Sequence, residues 1–294
     1  MSALGGGPLD AGLVPPPVSR RPRLLDLGDG GARSLLVALV STVVVFGLIG
    51  WLITTSPGWT DVQRAFFNAE RFAASIPQQV DAFLQNIQLF AVAELLILPL
   101  ALLIAVMRSL PGPVFFPLRV LAVIYTDFFR GVPGILIIFL LGFGIPALGL
   151  AGVPNDPFFW GVFSLTLVYS AYVAEVYRAG IDSVHPSQGA AARSLGLSHV
   201  QALRYVVLPQ AVRRVIPPLL NDFIGLQKDT ALVSTIGVVE VFRQAQIDES
   251  ATYNFTPFLV TALLFLAITI PLARFTDWLV ERDRRRRLAS GAFG

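Results

Sequence analysis

VIPPLLNDFIGLQKDTALVSTIGVVEV, residues 215–241, decides how the chain is read. It is long enough to cross a bilayer, yet Asn221, Asp222, Lys228, Asp229 and Glu240 interrupt it. Counted as a crossing, it makes the number of crossings even and puts both chain ends on one side of the membrane. Left out, it sends the run Arg282-Asp283-Arg284-Arg285-Arg286-Arg287 to the side opposite the other arginines. The excess of arginine on cytoplasmic flanks favours counting it.

Five further runs approach the roughly 20 apolar residues that a transmembrane helix needs. Residues 34–56, 132–152, 157–174 and 255–273 hold no charge, and 87–107 holds only Glu94. The expected fold is an all-α membrane protein of six transmembrane helices. Composition agrees: 14% of residues are charged, against about 25% in soluble domains, and mean hydropathy is +0.69. With six crossings, seventeen arginines flank the spans on the terminal side. Only Arg64, Arg71 and Arg243 lie on the other, while Lys228 and Arg274 fall within spans. Both termini of this multi-pass chain are therefore expected in the cytoplasm. The basic balance reports this orientation, and no nucleic-acid partner is expected.

Residues 1–33, with Gly5-Gly6-Gly7 and Pro15-Pro16-Pro17, read as a disordered cytoplasmic tail. The first span, 34–56, is too long for a signal-peptide core and reads as an uncleaved anchor. Residues 57–84 carry Phe66, Phe67, Phe72, Ile76, Val80 and Phe83 among polar residues. They read as an external amphipathic helix interrupted at Pro77, either a docking surface or a simple connector. Residues 282–294 read as a basic cytoplasmic tail that meets the headgroups of the lipid bilayer.

Between Arg178 and Pro217 the chain leaves the membrane. Pro186-Ser187 can start a helix, Ala190-Ala191-Ala192-Arg193-Ser194-Leu195 favours one, and Gly196 suits the left-handed residue that ends it. Ser198 can cap a second helix through Val207, which Pro209 limits. The expected product is two short helices at an angle, with three alanines as a knob that can enter a partner's groove.

Gly189-Ala190-Ala191-Ala192-Arg193-Ser194-Leu195-Gly196 followed by Val206-Val207-Leu208-Pro209 resembles the "EAA" loop of bacterial ABC-importer permeases. Further stretches carry the likeness: Asp127-Phe128-Phe129-Arg130-Gly131-Val132-Pro133, Ser170-Ala171-Tyr172-Val173-Ala174-Glu175-Val176-Tyr177-Arg178, Pro217-Pro218-Leu219-Leu220-Asn221-Asp222 and Lys228-Asp229-Thr230-Ala231-Leu232. Over residues 125–279 the chain resembles the permease subunits of polar amino acid ABC importers. The resemblance implies a five-helix core whose first helix is 87–107, which makes 34–56 an extra N-terminal helix. It implies a permease domain over 85–281 with a cytoplasmic coupling loop at 182–209. Ala190, Ala191, Ala192, Gly196, Leu208 and Pro209 would meet the ATPase subunit. In one respect the chain departs from the family, whose loop begins with Glu where Ala190 stands here.

G-x-x-x-x-G-K is absent, since the chain's one lysine, Lys228, follows Gln227. A pump built on this chain needs a separate ABC ATP-binding subunit to hold ATP and magnesium, and no cofactor is expected here. The resemblance further implies a second permease subunit, an extracytoplasmic solute-binding protein and an amino-acid substrate. No metal site is expected, since the chain has no cysteine and only His185 and His199.

Ionisable groups in spans are costly and suggest function. Asp222 and Asp229 are two helical turns apart and share a face, and Asn221 and Lys228 repeat that spacing. This stripe reads as lining a translocation path or a subunit seam, or else as helix packing alone, through a Lys228–Asp229 pair or placement at the membrane interface. Glu175, with Ser170 and Tyr172 nearby, is placed either to meet a cationic group of cargo or to pair with Arg178, three residues on. Glu94 has no local partner, which leaves a cargo role or an interhelical hydrogen bond, and the hydrogen bond is favoured. A gradient-driven secondary transporter using Glu94, Glu175 and Asp222 as proton carriers is the alternative, although no repeated halves are visible. No H-E-x-x-H and no nucleophile elbow is present, so an enzyme is not expected.

Overall fold

The computed structural model describes residues 31–110 and 112–291. Of the tail expected over residues 1–33, residues 1–30 lie outside the described residues, as do the chain's last three, whereas residues 31–33 are helical rather than disordered. Every regular element among the described residues is helical.

Two compact units divide between Thr60 and Asp61. In the first, α1 (Gly31–Thr54) exposes Leu36, Val43, Phe46 and its other large apolar side chains. Ser41 and Thr42 donate to the Ala38 carbonyl, so their hydroxyls are satisfied within the helix, as lipid requires.

The division falls inside α2 (Trp59–Phe66), and the second unit goes on with α3 (Ala69–Ser109), a helix of 41 residues. Asn68 caps α3 by accepting from the Arg71 backbone N–H at 3.0 Å. The interruption expected at Pro77 does not occur: α3 runs through Pro77 and Pro99. A proline removes one helical hydrogen bond, and burial of Ser75, Gln79 and Phe83 around it holds the helix together. Residues 69–84 are therefore continuous with the span expected at 87–107.

Leu89, Ala93, Ile97, Ala101 and Ile104 form one buried stripe of α3 at helical spacing. It packs on α7 (Pro157–Asp182), whose Leu165, Val168, Val173 and Ala174 are buried in the same cluster. In a bilayer this association rests on close packing, which Ala93, Ala101 and Ala174 permit.

The expected straight span at 132–152 is not one. α4 (Phe116–Gly131) meets α5 (Gly134–Phe139) at a bend of 102°, and α5 continues through a π turn (Leu140–Gly144) into α6 (Ile145–Ala147). Pro133 lacks an N–H and forces Val132 out of helical geometry, to φ −94° and ψ 133°. The helical part beyond the bend is about 21 Å long, short of a bilayer's hydrocarbon core.

α8 (Pro186–Ser194) and α9 (His199–Ala202) form the loop. A π turn (Leu203–Val207) then leads directly into α10 (Leu208–Asp229). The stop expected at Pro209 is absent, because the π turn lets the Leu208 N–H reach back to the Leu203 carbonyl and seats Pro209 in the first turn of α10. Residues 215–241 are likewise not one continuous helix. α10 ends at Asp229, a 3-10 turn (Thr230–Ile236) follows and closes on a left-handed Gly237, and α11 (Val241–Thr252) and α12 (Thr256–Gly291) come after it. The residues expected as a C-terminal tail continue α12 as far as Gly291.

Four helical stretches are long and apolar enough to cross a membrane: Ser34–Thr54, Trp59–Ser109, Pro157–Asp182 and Thr256–Arg282. Counted as a single broken span, the bent α4–α6 pair brings the number to five. α10 is not among them, because Arg213, Arg214, Asp222, Lys228 and Asp229 lower its hydropathy.

Candidate functional site

Glu175, near the C-terminal end of α7, is 17% exposed and both its carboxylate oxygens are engaged. Oε1 accepts from Arg108 at the end of α3, and Oε2 accepts from Arg178 at 2.8 Å. The Arg130 guanidinium, at the end of α4, lies 4.0 Å from Oε1. Arg108 also donates to the Thr126 hydroxyl, and Arg178 to Asp182 at 2.7 Å. The pairing with Arg178 is thus present and extends to two arginines that the sequence placed 67 and 45 residues away. These contacts tie the ends of α3, α4 and α7 together.

A cavity of about 390 Å³ opens beside this node, lined by Arg130, Tyr172, Glu175, Arg214, Pro218 and Asp222. Arg130 lies 5.8 Å above the Tyr172 ring. Arg214 donates to the Ser183 carbonyl. Ser170 does not join the cavity: it is fully buried and shares a 2.7 Å hydrogen bond with the Tyr125 hydroxyl of α4.

The polar stripe of α10 splits into groups with different surroundings. Asp229 accepts from the Tyr169 hydroxyl at 2.8 Å, and no Lys228–Asp229 ion pair forms among the described residues. Lys228 and Asn221 are exposed. Asp222 is half-buried, and its Oδ2 has no hydrogen-bond partner among the described residues. Glu94 of α3 is half-buried too, and its Oε1 is equally without a partner, so the interhelical bond expected there is not made through that atom. The two carboxylates interact electrostatically across α3 and α10.

A second polar cluster sits on the N-terminal half of α3. Asn86 donates to Glu240 at 2.9 Å and to Thr230 at 3.0 Å, and accepts from the Val241 N–H. Glu240 caps α11 through the N–H groups of Phe242 and Arg243. Gln79 donates to Asp248 and accepts from Thr261 of α12. Asn86, Gln79 and Glu240 are fully buried. The sequence reading missed Asn86 and Gln79, and took Glu240 only as an interruption of 215–241, because Asn86 and Gln79 are isolated polar residues whose partners lie on other elements.

In the loop, Gly196 has φ +87°, the left-handed conformation expected of it. Ser198 and Gln201 form a reciprocal cap: the Gln201 N–H donates to Ser198 Oγ, and the Ser198 N–H to Gln201 Oε1. His185 caps α8 by accepting from the Ser187 N–H at 3.2 Å, a role that the following Pro186 signals. Ala190 and Ala191 are exposed while Ala192 is buried, so the knob presents two alanines rather than three. Leu208 and Pro209 are exposed at the start of α10.

Residues 97–285 match the family described as binding-protein-dependent transport system inner membrane component. The chain is 39% identical over 184 residues to "Probable glutamine ABC transporter permease protein GlnM" of Bacillus subtilis, a match covering 62% of this chain and 82% of that one. It is 32% identical over 212 residues to the arginine transport system permease protein ArtQ of the same organism, covering 72% and 95%. A solved structure of an amino acid ABC transporter with histidines superposes with a TM-score of 0.67 at 33% identity, covering 73% of this chain and 98% of that one.

Proposed function

The chain belongs to the family of binding-protein-dependent transport system inner membrane components, and from that premise we propose that it is the permease subunit of an ATP-driven importer of polar or charged amino acids. The observation that carries this reading is the exposed two-helix loop, α8 and α9, inside the matched region. A transporter working alone has no use for such a projection, whereas a subunit driven from outside needs a rigid handle on a bistable bundle.

In this reading a separate ABC ATPase binds ATP and magnesium, and α8 and α9 follow its motions. A solute-binding protein delivers cargo from outside, and a second permease, identical or homologous, completes the path. In this reading both termini lie in the cytoplasm, which the arginine distribution supports. α10 with its 3-10 turn supplies the sixth crossing: its 22 residues span about 33 Å, and it packs against α7 and α12.

The path runs along α10. Glu94 and Asp222, each with an oxygen lacking a partner among the described residues, face the ammonium or side-chain cation of cargo. Tyr172 and Asn221 line the route and Lys228 offers a counter-charge for a carboxylate. Glu175, whose oxygens both accept from arginines, holds the bundle rather than the cargo.

The test is ATP hydrolysis in proteoliposomes holding the permease, its ATPase and its solute-binding protein, with a panel of amino acids. Cargo-stimulated hydrolysis is expected. Uptake that proceeds without any ATPase and collapses with the proton gradient overturns the reading.

A further inference from the structure

Between Asp182 and Asp222 lie 39 residues without a single carboxylate, and they include Arg193, Arg204, Arg213 and Arg214. This segment contains the whole projecting loop. Among the described residues no acidic group pairs with Arg193, Arg204 or Arg213. Arg204 instead lies 5.7 Å from the Tyr205 ring, and Arg214 is held by the Ser183 carbonyl.

A notch of about 230 Å³ opens between α8 and the π turn, lined by Pro186, Gly189, Ala190, Arg193, Leu203 and Val207. Its wall is small on the α8 side: a side-chain carbon built at Gly189 meets only Val207, at 3.9 Å. Arg193 is exposed on the rim, three residues and one helical turn beyond Ala190. The same segment carries exposed apolar side chains, Leu195 at 86% exposure, Tyr205 and Leu208.

We propose that the ATPase subunit docks by inserting an acidic side chain into the notch over Ala190, where it pairs with Arg193. This rests on the reading of the chain as an ABC-importer permease and names the chemistry that its partner must carry. Charge complementarity favours the occupant: an all-basic loop with an alanine-floored notch fits a groove that supplies carboxylates. A Glu at position 190, where the resembling family has one, would take Arg193 for itself and set a negative charge where the partner's carboxylate must go. The alanine is thus part of an inverted polarity, with the acid on the ATPase rather than on the permease.

The experiment measures retention of the cognate ABC ATPase by the full permease in nanodiscs of stated lipid composition. Wild type, Ala190→Glu, Ala190→Gln and Arg193→Glu are compared at low and high salt. Ala190→Glu and Arg193→Glu should each weaken retention about tenfold. Ala190→Gln, with the bulk of Glu and no charge, should weaken retention less than Ala190→Glu does, which separates charge from size. Wild-type retention should fall as salt shortens the screening length from about 10 Å at 0.1 M to about 3 Å at 1 M. Ala190→Glu binding as tightly as wild type, or tighter, overturns the proposal. So does an Arg193→Glu effect that appears only with anionic lipid and without any loss of ATPase, since the arginines then serve the membrane. Failure of the wild-type chain to retain any ABC ATPase is a distinct result: it overturns the importer reading itself, and the docking proposal with it.

Discussion

Replacing Glu175 by Gln keeps the shape of the side chain and removes its charge. Arg108 and Arg178 are then left facing an amide. Glu175 and Arg108 are 17% and 18% exposed, and Arg178 is 38% exposed. Breaking a fully buried ion pair costs about 3–5 kcal/mol, and an exposed one 0–1. Most of this node lies closer to the buried limit, so the loss should be about 2–3 kcal/mol. For a unit of this size, 1 kcal/mol moves the melting temperature by about 2–4 °C, which gives a fall of roughly 5–10 °C. The assay is thermal unfolding of the reconstituted permease. Arg108→Gln should cost less, since Glu175 keeps Arg178. The double variant should be less destabilised than the sum of the singles, because the two side chains are in contact. Glu175→Gln that melts as wild type does, while uptake of cationic amino acids alone collapses, would refute the reasoning and return Glu175 to the cargo path.

Asn86→Leu leaves the buried Glu240 carboxylate and the Val241 N–H each without one partner, and should cost about 3 kcal/mol; faster amide exchange across α11 checks it. Gly196→Val forces a β-branched residue to φ +87°, at about 1–3 kcal/mol of local strain. It should uncouple ATP hydrolysis from uptake while global unfolding stays unchanged, because Gly196 is exposed at the loop's elbow. Asp222→Asn should leave melting unchanged or raise it, since Oδ2 has no hydrogen-bond partner among the described residues, while uptake falls about tenfold. Lost stability with intact uptake would place Asp222 in packing instead.

The apolar spans were legible because lipid demands runs that composition alone displays. The loop was legible because Pro186, Gly196 and Ser198 act locally, through backbone geometry that does not depend on distant packing. What the sequence concealed was non-local. Nothing near Glu175 announces Arg108 or Arg130, since the pairing depends on where α3 and α4 end. Asn86 and Glu240 are 154 residues apart and each looks like an ordinary polar residue at a helix boundary. The bend at Val132-Pro133 was readable in principle, as X-Pro is disfavoured in a helix. Hydrophobicity across 132–152 masked it, because a window average cannot register a change of direction.

The distribution of satisfied and unsatisfied polar groups along α3 is itself an argument about mechanism. At its N-terminal half Asn86 makes three hydrogen bonds to its neighbours, and at its C-terminal end Arg108 is paired with Glu175. Between them Glu94 has an oxygen with no partner among the described residues, and so does Asp222 on the helix opposite. An unpaired carboxylate at membrane depth is costly wherever water and cations are absent. A helix pinned at both ends by completed networks can carry such groups only if its middle section opens to water or to a cationic ligand at some stage of the cycle. The chain would otherwise be more stable with leucine at both positions. Replacing Glu94 and Asp222 together by Leu should therefore raise the melting temperature and abolish transport, and a double variant that still transports would show that the middle of α3 does not line the path.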